Sequence, residues 1–269
     1  MDLLQAAGLA RSTFFYHQAA LALPDPRSEL KQAVRDAFAQ GKGCYGHRRV
    51  HALLAREGLQ IAKKTVLKLM RQLGLRCHVR RRRKYLSWRG HVGVIAGNVL
   101  DRDFTAAAPN RKWVSDVTEF RVGDRKAYLS PVMDLFDHQI VAWTVSTSPG
   151  LALTNGSLDQ ALASQAGEPG LVVHSDQRFQ HQHLPWQRRL AAVGAVQSMS
   201  RRGNCYDHAV MENFFGHLKA ESLHHHRPVS LEEFTTLVDD YIGWWNTERV
   251  HTRLEGLSPV QYRTQTLAP

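Results

Sequence analysis

Between Trp113 and Val145 the chain carries β-branched, aromatic and aliphatic residues in runs of strand length set apart by short turns. Trp113–Phe120, Ala127–Phe136 and Ile140–Val145 are divided by Gly123-Asp124 and Asp137-His138, and this spacing predicts a three-stranded antiparallel meander. Such a sheet has faces to cover, and the downstream text supplies the cover. A helical segment is expected over 157–165. Leu171-Val172-Val173-His174, ending in Ser175-Asp176, reads as a buried strand parallel to its neighbour. Further helices over 184–193, 207–221 and 231–245 and a strand over 195–199 complete an α/β unit: a mixed five-stranded sheet flanked by helices.

The preceding residues follow another period. Ser28 is a candidate N-cap for a helix carrying Leu30, Val34, Ala37 and Phe38 and stopping at Gly41. A second helix should carry Val50, Leu53 and Leu54 to Gly58, and a third Val66, Leu69, Met70 and Leu73 to Gly74. The last two have the proportions of a helix-turn-helix, although any small trihelical bundle, including one that binds protein, reads this way. The expected organisation is an N-terminal segment over 1–23, broken by Pro24-Asp25-Pro26, a helix-turn-helix domain with a basic tail over 24–84, a linker over 85–110, and the α/β unit over 111–269.

Charge divides along the same line. The net +11 over 269 residues conceals 20 Lys and Arg against 7 Asp and Glu in residues 1–110, and 15 against 17 thereafter. Arg76, Arg80, Arg81, Arg82, Arg83 and Lys84 crowd one short stretch, while Arg48, Arg49, Lys63, Lys64 and Lys68 lie within the trihelical segment. Such a run is either a solvated linker or a partner for phosphate; an asymmetric basic domain favours nucleic acid through counterion release. No apolar run approaches the roughly 18 residues of a membrane span, and Met1-Asp2-Leu3-Leu4 lacks the order of a secretory signal. Cys44, Cys77 and Cys205 are too scattered for a disulfide framework, and no C-x-x-C accompanies His47 and His51 to build a zinc module. A protein of the cytoplasm is expected.

Three acids stand out by placement: Asp116 inside the first strand run, Asp176 at the end of the fourth, and Glu212 in a helix with Val210, Phe214 and Phe215. A carboxylate in an apolar element needs neutralising, and converging carboxylates suit Mg²⁺. By spacing alone they are equally surface acids or helix caps. Ser175 between His174 and Asp176 is no hydrolase triad, because neighbours on a strand point to opposite faces.

The text around these acids is more specific. Trp113-Val114-Ser115-Asp116-Val117-Thr118, Val132-Met133-Asp134-Leu135-Phe136, His174-Ser175-Asp176-Gln177, the run Ser198 to Asp207, and Glu212-Asn213-Phe214-Phe215-Gly216-His217-Leu218-Lys219 resemble the integrase core of bacterial insertion-sequence transposases of the IS-three family. Asn246 to His251 and Gly256 to Tyr262 resemble its C-terminal signature, and Cys44 to Val50 with Lys63 to Val66 its upstream helix-turn-helix. The resemblance spans nearly the whole chain. It implies an RNase-H-like fold in which Asp116, Asp176 and Glu212 form an acidic triad holding two Mg²⁺ or Mn²⁺ ions, with Lys219 near the DNA. It also implies cutting at element ends, transfer of the freed 3′-hydroxyl to target DNA, self-association in a DNA complex, and a possible fusion partner from an upstream frame.

Three positions depart from the family pattern: Arg178 where glycine is usual, His181 for tyrosine, and His208 within an Asp-Asn-Ala run. Glycine suits a tight turn or a close approach of DNA, which Arg178 either obstructs or assists by touching phosphate. These departures keep open a decayed core that only occupies element ends. A general RNase-H-like nuclease is the other alternative.

Overall fold

The computed structural model describes residues 10–22, 25–77, 95–164, 170–201, 209–223 and 226–268. Arg80, Arg81, Arg82, Arg83, Lys84 and His208 lie outside them. The chain divides into two compact units, Met1–Cys77 and His78–Pro269.

The first unit contains α1 (Arg11–Ala22), α2 (Ser28–Gln40), α3 (His47–Arg56) and α4 (Lys63–Gln72). Ser28 is not the N-cap expected of it. It is the first helical residue, and Asp25 forms the entry turn by accepting from Arg27 N at 2.9 Å. Val34, Ala37, Tyr45, Val50, Leu53, Leu54, Val66, Leu69 and Met70 are buried where α2, α3 and α4 meet. α3 and α4 end as their glycines predict. Gly58 (φ +86°) and Gly74 (φ +69°) take the left-handed conformation, and the next amides reach back, Leu59 N to Leu54 O and Leu75 N to Met70 O, both at 2.9 Å.

The second unit is built on one mixed sheet: β1 (Lys112–Ser115), β2 (Thr118–Val122), β3 (Arg125–Asp134), β4 (Ile140–Ser146), β5 (Val172–Ser175) and β6 (Val196–Met199). There are six strands where five were expected, because the first run is broken at Asp116-Val117. β1 and β2 nevertheless lie along the same edge of β3 in one register, Ser115 opposite Val132 and Thr118 opposite Leu129. β2, β3 and β4 form the expected antiparallel meander, and β5 runs parallel to both β1 and β6.

α5 (Leu151–Ser164) and α7 (Leu184–Ala192), with the short α6 (Phe179–Gln182) between them in sequence, cover one face of the sheet, burying Trp113, Val132, Leu158, Val173, Trp186 and Leu190 in one cluster. α5 starts six residues before the expected position. Its Gly156 passes so close to β4 that a Cβ there would stand 3.1 Å from Thr144 Cγ2, and Ser157 meets Ser130 hydroxyl to hydroxyl at 3.0 Å. Both outer strands are covered. Asn246 of α9 (Leu231–Thr247) exchanges two 2.9 Å bonds with the backbone of Ile140 on β4. Beside β6, the Val99 and Leu100 amides donate to Ser198 Oγ and Met199 N donates to Gly97 O. Among the described residues no helix is long and apolar enough to cross a membrane.

α8 (Ala209–Leu218) ends in a π turn, Lys219–Leu223, whose Glu221 is fastened from four directions. Arg249 grips it with Nε at 2.8 Å and Nη2 at 2.7 Å, Tyr241 OH donates at 2.8 Å, and His217 Nδ1 lies 3.0 Å away. The Arg249 guanidinium also sits 4.3 Å from the centre of the Trp245 ring. Burial works to raise the Glu221 pKa, but the bonds and charges of Arg249 and His217 outweigh it and hold the carboxylate well below its usual range. α10 (Pro259–Leu267) opens with a Ser258/Gln261 capping box and is tied back by Arg263 to the buried Asp134 and Asp137.

Arg249→Met leaves Glu221 charged and buried without its main partner, and is expected to cost about 3–5 kcal/mol, part of which Glu221→Gln in the same chain restores. The five tryptophans among the described residues all belong to the second unit, so urea unfolding followed by tryptophan fluorescence reports chiefly on that unit. An R249M midpoint equal to wild type would contradict this.

Candidate active site

Parallel pairing of β1 with β5 sets Ser115 opposite Ser175. The next residue on each strand is an acid, so Asp116 and Asp176 leave the carboxyl edge of the sheet on adjacent strands, which lie about 4.8 Å apart in any sheet. They are 9% and 8% exposed, sunk in the fold but open at one end. The C-terminal end of parallel strands is where α/β sheets place ligands.

The break that frees Asp116 comes from across the ladder. Leu135 N donates to Lys112 O, so every second residue back along β3 directs its N–H to the same edge: Met133, opposite Val114, then residue 131, opposite Asp116. Residue 131 is proline and has no N–H. The ladder lapses there and Asp116 Oδ1 accepts from Val117 N at 2.6 Å, while the Val117 carbonyl, which faces away from β3, lies past the last β1–β5 pair, Ser115 with Ser175, where a side chain can reach it.

That side chain is Arg178. Its Nη1 donates to Val117 O at 2.6 Å, its Nε lies 2.9 Å from Asp176 Oδ2, and its backbone N donates to Asp176 Oδ1 at 3.0 Å. The sequence offered two orientations, across the path of DNA or outward to phosphate. The structure has a third, folded back over the strand ends. His181, fully buried, adds Nδ1 to Asp176 Oδ1 at 2.9 Å and packs edge-on against Trp186.

Glu212 is the fourth residue of α8, half-buried at the border of a face made by Met211, Phe214, Phe215 and Leu218. Among the described residues no three His, Cys, Asp or Glu side chains gather closely enough to hold a metal ion together. The structure therefore brings Asp116 and Asp176 side by side and leaves Glu212 outside their immediate group. Carboxylate oxygens suit a hard divalent cation, and the guanidinium at present supplies the compensating charge.

Lys219 turns back toward the same corner, Nζ 3.1 Å from Thr118 Oγ1 and 4.8 Å from the Phe120 ring centre. Thr118 and the Val117 carbonyl were missed in the sequence, which carries no signal for either. His174, beside Asp176, bonds Ser198 through Nδ1 at 2.9 Å, and Ser175 Oγ donates to Asp176 O, so neither completes a nucleophilic triad. In the first unit Lys63, Lys64, Lys68 and Arg71 are exposed on α4 and Arg48 on α3, while Arg49 lies with its guanidinium 5.9 Å from the Tyr45 ring centre.

Comparison with known proteins gives this geometry a class. Integrase core domain families match residues 106–205 and 212–267, and an HTH-like domain family matches 26–84. InsK of insertion sequence element IS150 from Escherichia coli K12 is 44% identical over 268 residues, covering 100% of this chain and 94% of that protein. Transposase InsF for insertion sequence IS3A of the same organism is 33% identical over 243 residues, 90% of this chain and 84% of that one. A cryoEM structure of simian T-cell lymphotropic virus intasome in complex with PP2A regulatory subunit B56 gamma superimposes with a TM-score of 0.53 at 16% identity, over 81% of this chain and 72% of that chain, a likeness of fold. The fold and its acidic strand ends define an integrase core of the RNase-H-like kind. The chain belongs to the insertion-sequence transposases of the IS-three family and is a DDE-type polynucleotidyl transferase.

Pro131→Ala restores the missing donor opposite Asp116. Its amide is expected to be protected from hydrogen exchange like its neighbours on β3, with stability changed by no more than about 1 kcal/mol. Exchange at the free-peptide rate would show that the break has another origin.

Proposed function

We propose that this transposase cuts phosphodiesters at the ends of its element and joins the freed 3′-hydroxyl to target DNA, with Asp116, Asp176 and Glu212 as ligands for two Mg²⁺ or Mn²⁺ ions. The observation that carries the reading is the register of β1 and β5, which sets two acids side by side within an integrase core. When bound, the ions supply activation of the attacking oxygen and stabilisation of the leaving one. Asp116 and Asp176 are the fixed part of the site, on sheet ends that packing holds rigid. Glu212, carried on α8, completes the set from a separate element. Lys219 stands at the Thr118 corner, where its charge offsets that of an incoming phosphate. No side chain forms a covalent bond to DNA.

DNA recognition falls to residues 24–84. α4 offers Lys63, Lys64 and Lys68 on one exposed side, as a helix entering a major groove would, and Arg48, Arg49 and the Arg80, Arg81, Arg82, Arg83 and Lys84 run neutralise the backbone. Residues 85–110 connect this domain to the catalytic one over 111–269. The protein works at the nucleoid in the cytoplasm, self-associates on paired element ends, and is joined in some products to an upstream-frame partner.

Asp116→Asn, Asp176→Asn and Glu212→Gln are each expected to lower Mg²⁺-dependent cleavage of a terminal-repeat duplex by at least about 10²-fold, the scale of removing one electrostatic partner from a reacting group, with duplex affinity retained. Full activity in any one removes that residue from the site. Wild-type binding without cleavage selects the decayed reading, and cutting without preference for the repeat selects a general nuclease. Lys63→Ala, Lys64→Ala and Lys68→Ala should each make the slope of log affinity against log salt shallower by about 0.9 for every phosphate that is no longer neutralised; an unchanged slope assigns that lysine to no phosphate.

A further inference from the structure

We infer that Arg178 is a latch on the metal site, a tethered cation that occupies Asp176 until a DNA phosphate draws it away. The inference rests on the reading that Asp176 is a metal ligand. Its ground is the geometry of one guanidinium. Nε is 2.9 Å from Asp176 Oδ2 and Nη1 is 2.6 Å from Val117 O, so the group spans the ends of the two strands that carry the acids. With Arg178 N and His181 Nδ1 on Oδ1 at 3.0 and 2.9 Å, Asp176 accepts three hydrogen bonds, on both of its oxygens. A divalent ion approaching Oδ2 meets a positive charge already in contact with it.

The latch can be reached from outside. The Arg178 side chain is 37% exposed while that of Asp176 is 12% exposed, so the guanidinium is the part of the pair that faces solvent. A DNA phosphodiester offers a guanidinium paired oxygens in the same forked geometry as a carboxylate, with the field of the neighbouring phosphates added to its own charge. An arriving DNA backbone therefore competes with Asp176 for the same donors, and transfer of Arg178 to phosphate releases Asp176 to the ion. DNA and metal then bind with positive coupling, which linkage makes reciprocal. In the absence of DNA the latch neutralises an acid that would otherwise sit nearly buried and uncompensated.

The test is a titration of the full chain with Mn²⁺, free ion being read by electron paramagnetic resonance, with and without a short duplex. Without DNA, Arg178→Ala keeps the residue 178 amide and is expected to bind Mn²⁺ about tenfold more tightly than wild type, the size of an ordinary coupling between sites. Arg178→Lys, which keeps a charge but cannot span Asp176 and Val117 at once, should shift affinity the same way by a smaller factor. The duplex should tighten Mn²⁺ binding more in wild type than in R178A. If R178A and R178K bind Mn²⁺ no more tightly than wild type while Asp176→Asn loses binding, the latch is wrong and the metal reading stands. If D176N binds as wild type does, both fall. Equal tightening by the duplex in wild type and R178A would refute release by phosphate.

Discussion

The parallel pairing of β1 with β5 is the constraint on which the rest of the catalytic unit depends. Parallel strands need a covered crossover, and here β2, β3, β4 and α5 stand between them in sequence, bringing the chain back with Trp113, Val173, Trp186 and Leu190 locked in one buried cluster. Once that cluster is packed, the register has no freedom, because a slip of one residue would turn a whole strand face from core to solvent. Asp116 and Asp176 are neighbours for this reason. Their approach is a cost that apolar packing imposes, and the molecule meets it locally with Arg178, His181 and the Val117 amide.

Much of this was legible in the residues, and what was hidden has a common cause. Gly58 and Gly74 act locally on the helices they end, so the helix limits at those points could be read directly. The meander could be read from its runs and turns. The break at Asp116-Val117 could not: those residues carry no turn signal, and the cause, Pro131, acts from the opposite strand. α5 was placed late because Thr154, Asn155 and Gly156 are weak helix formers. They are used there because the helix must come close to Thr144 and set Ser157 against Ser130. Ser28 looked like a cap by type, but the helix begins one residue early, with Arg27 at the cap position and Asp25 closing the entry turn onto the Arg27 amide.

The candidate site divides in the same way. Three acids could be selected only by resemblance, since spacing alone left them equal to surface carboxylates. Sequence cannot say which way Arg178 turns: an arginine beside an acid, a carbonyl and solvent has several partners within reach, and the choice is made by the Val117 carbonyl, which lies just past the end of the β1–β5 ladder. Lys219 likewise reads as a helix-face lysine until the fold brings Thr118 to its ammonium.

Glu221 and Arg249 have a bearing on how the protein is made. The acid sits one turn beyond the helix that carries Glu212, and its main counter-charge arrives 28 residues later in the chain. On the ribosome, α8 must wait with Glu221 lacking its guanidinium until residue 249 has emerged, so this side of the catalytic unit closes late in synthesis. A product cut short before that arginine lacks the buried charge that seats the helix.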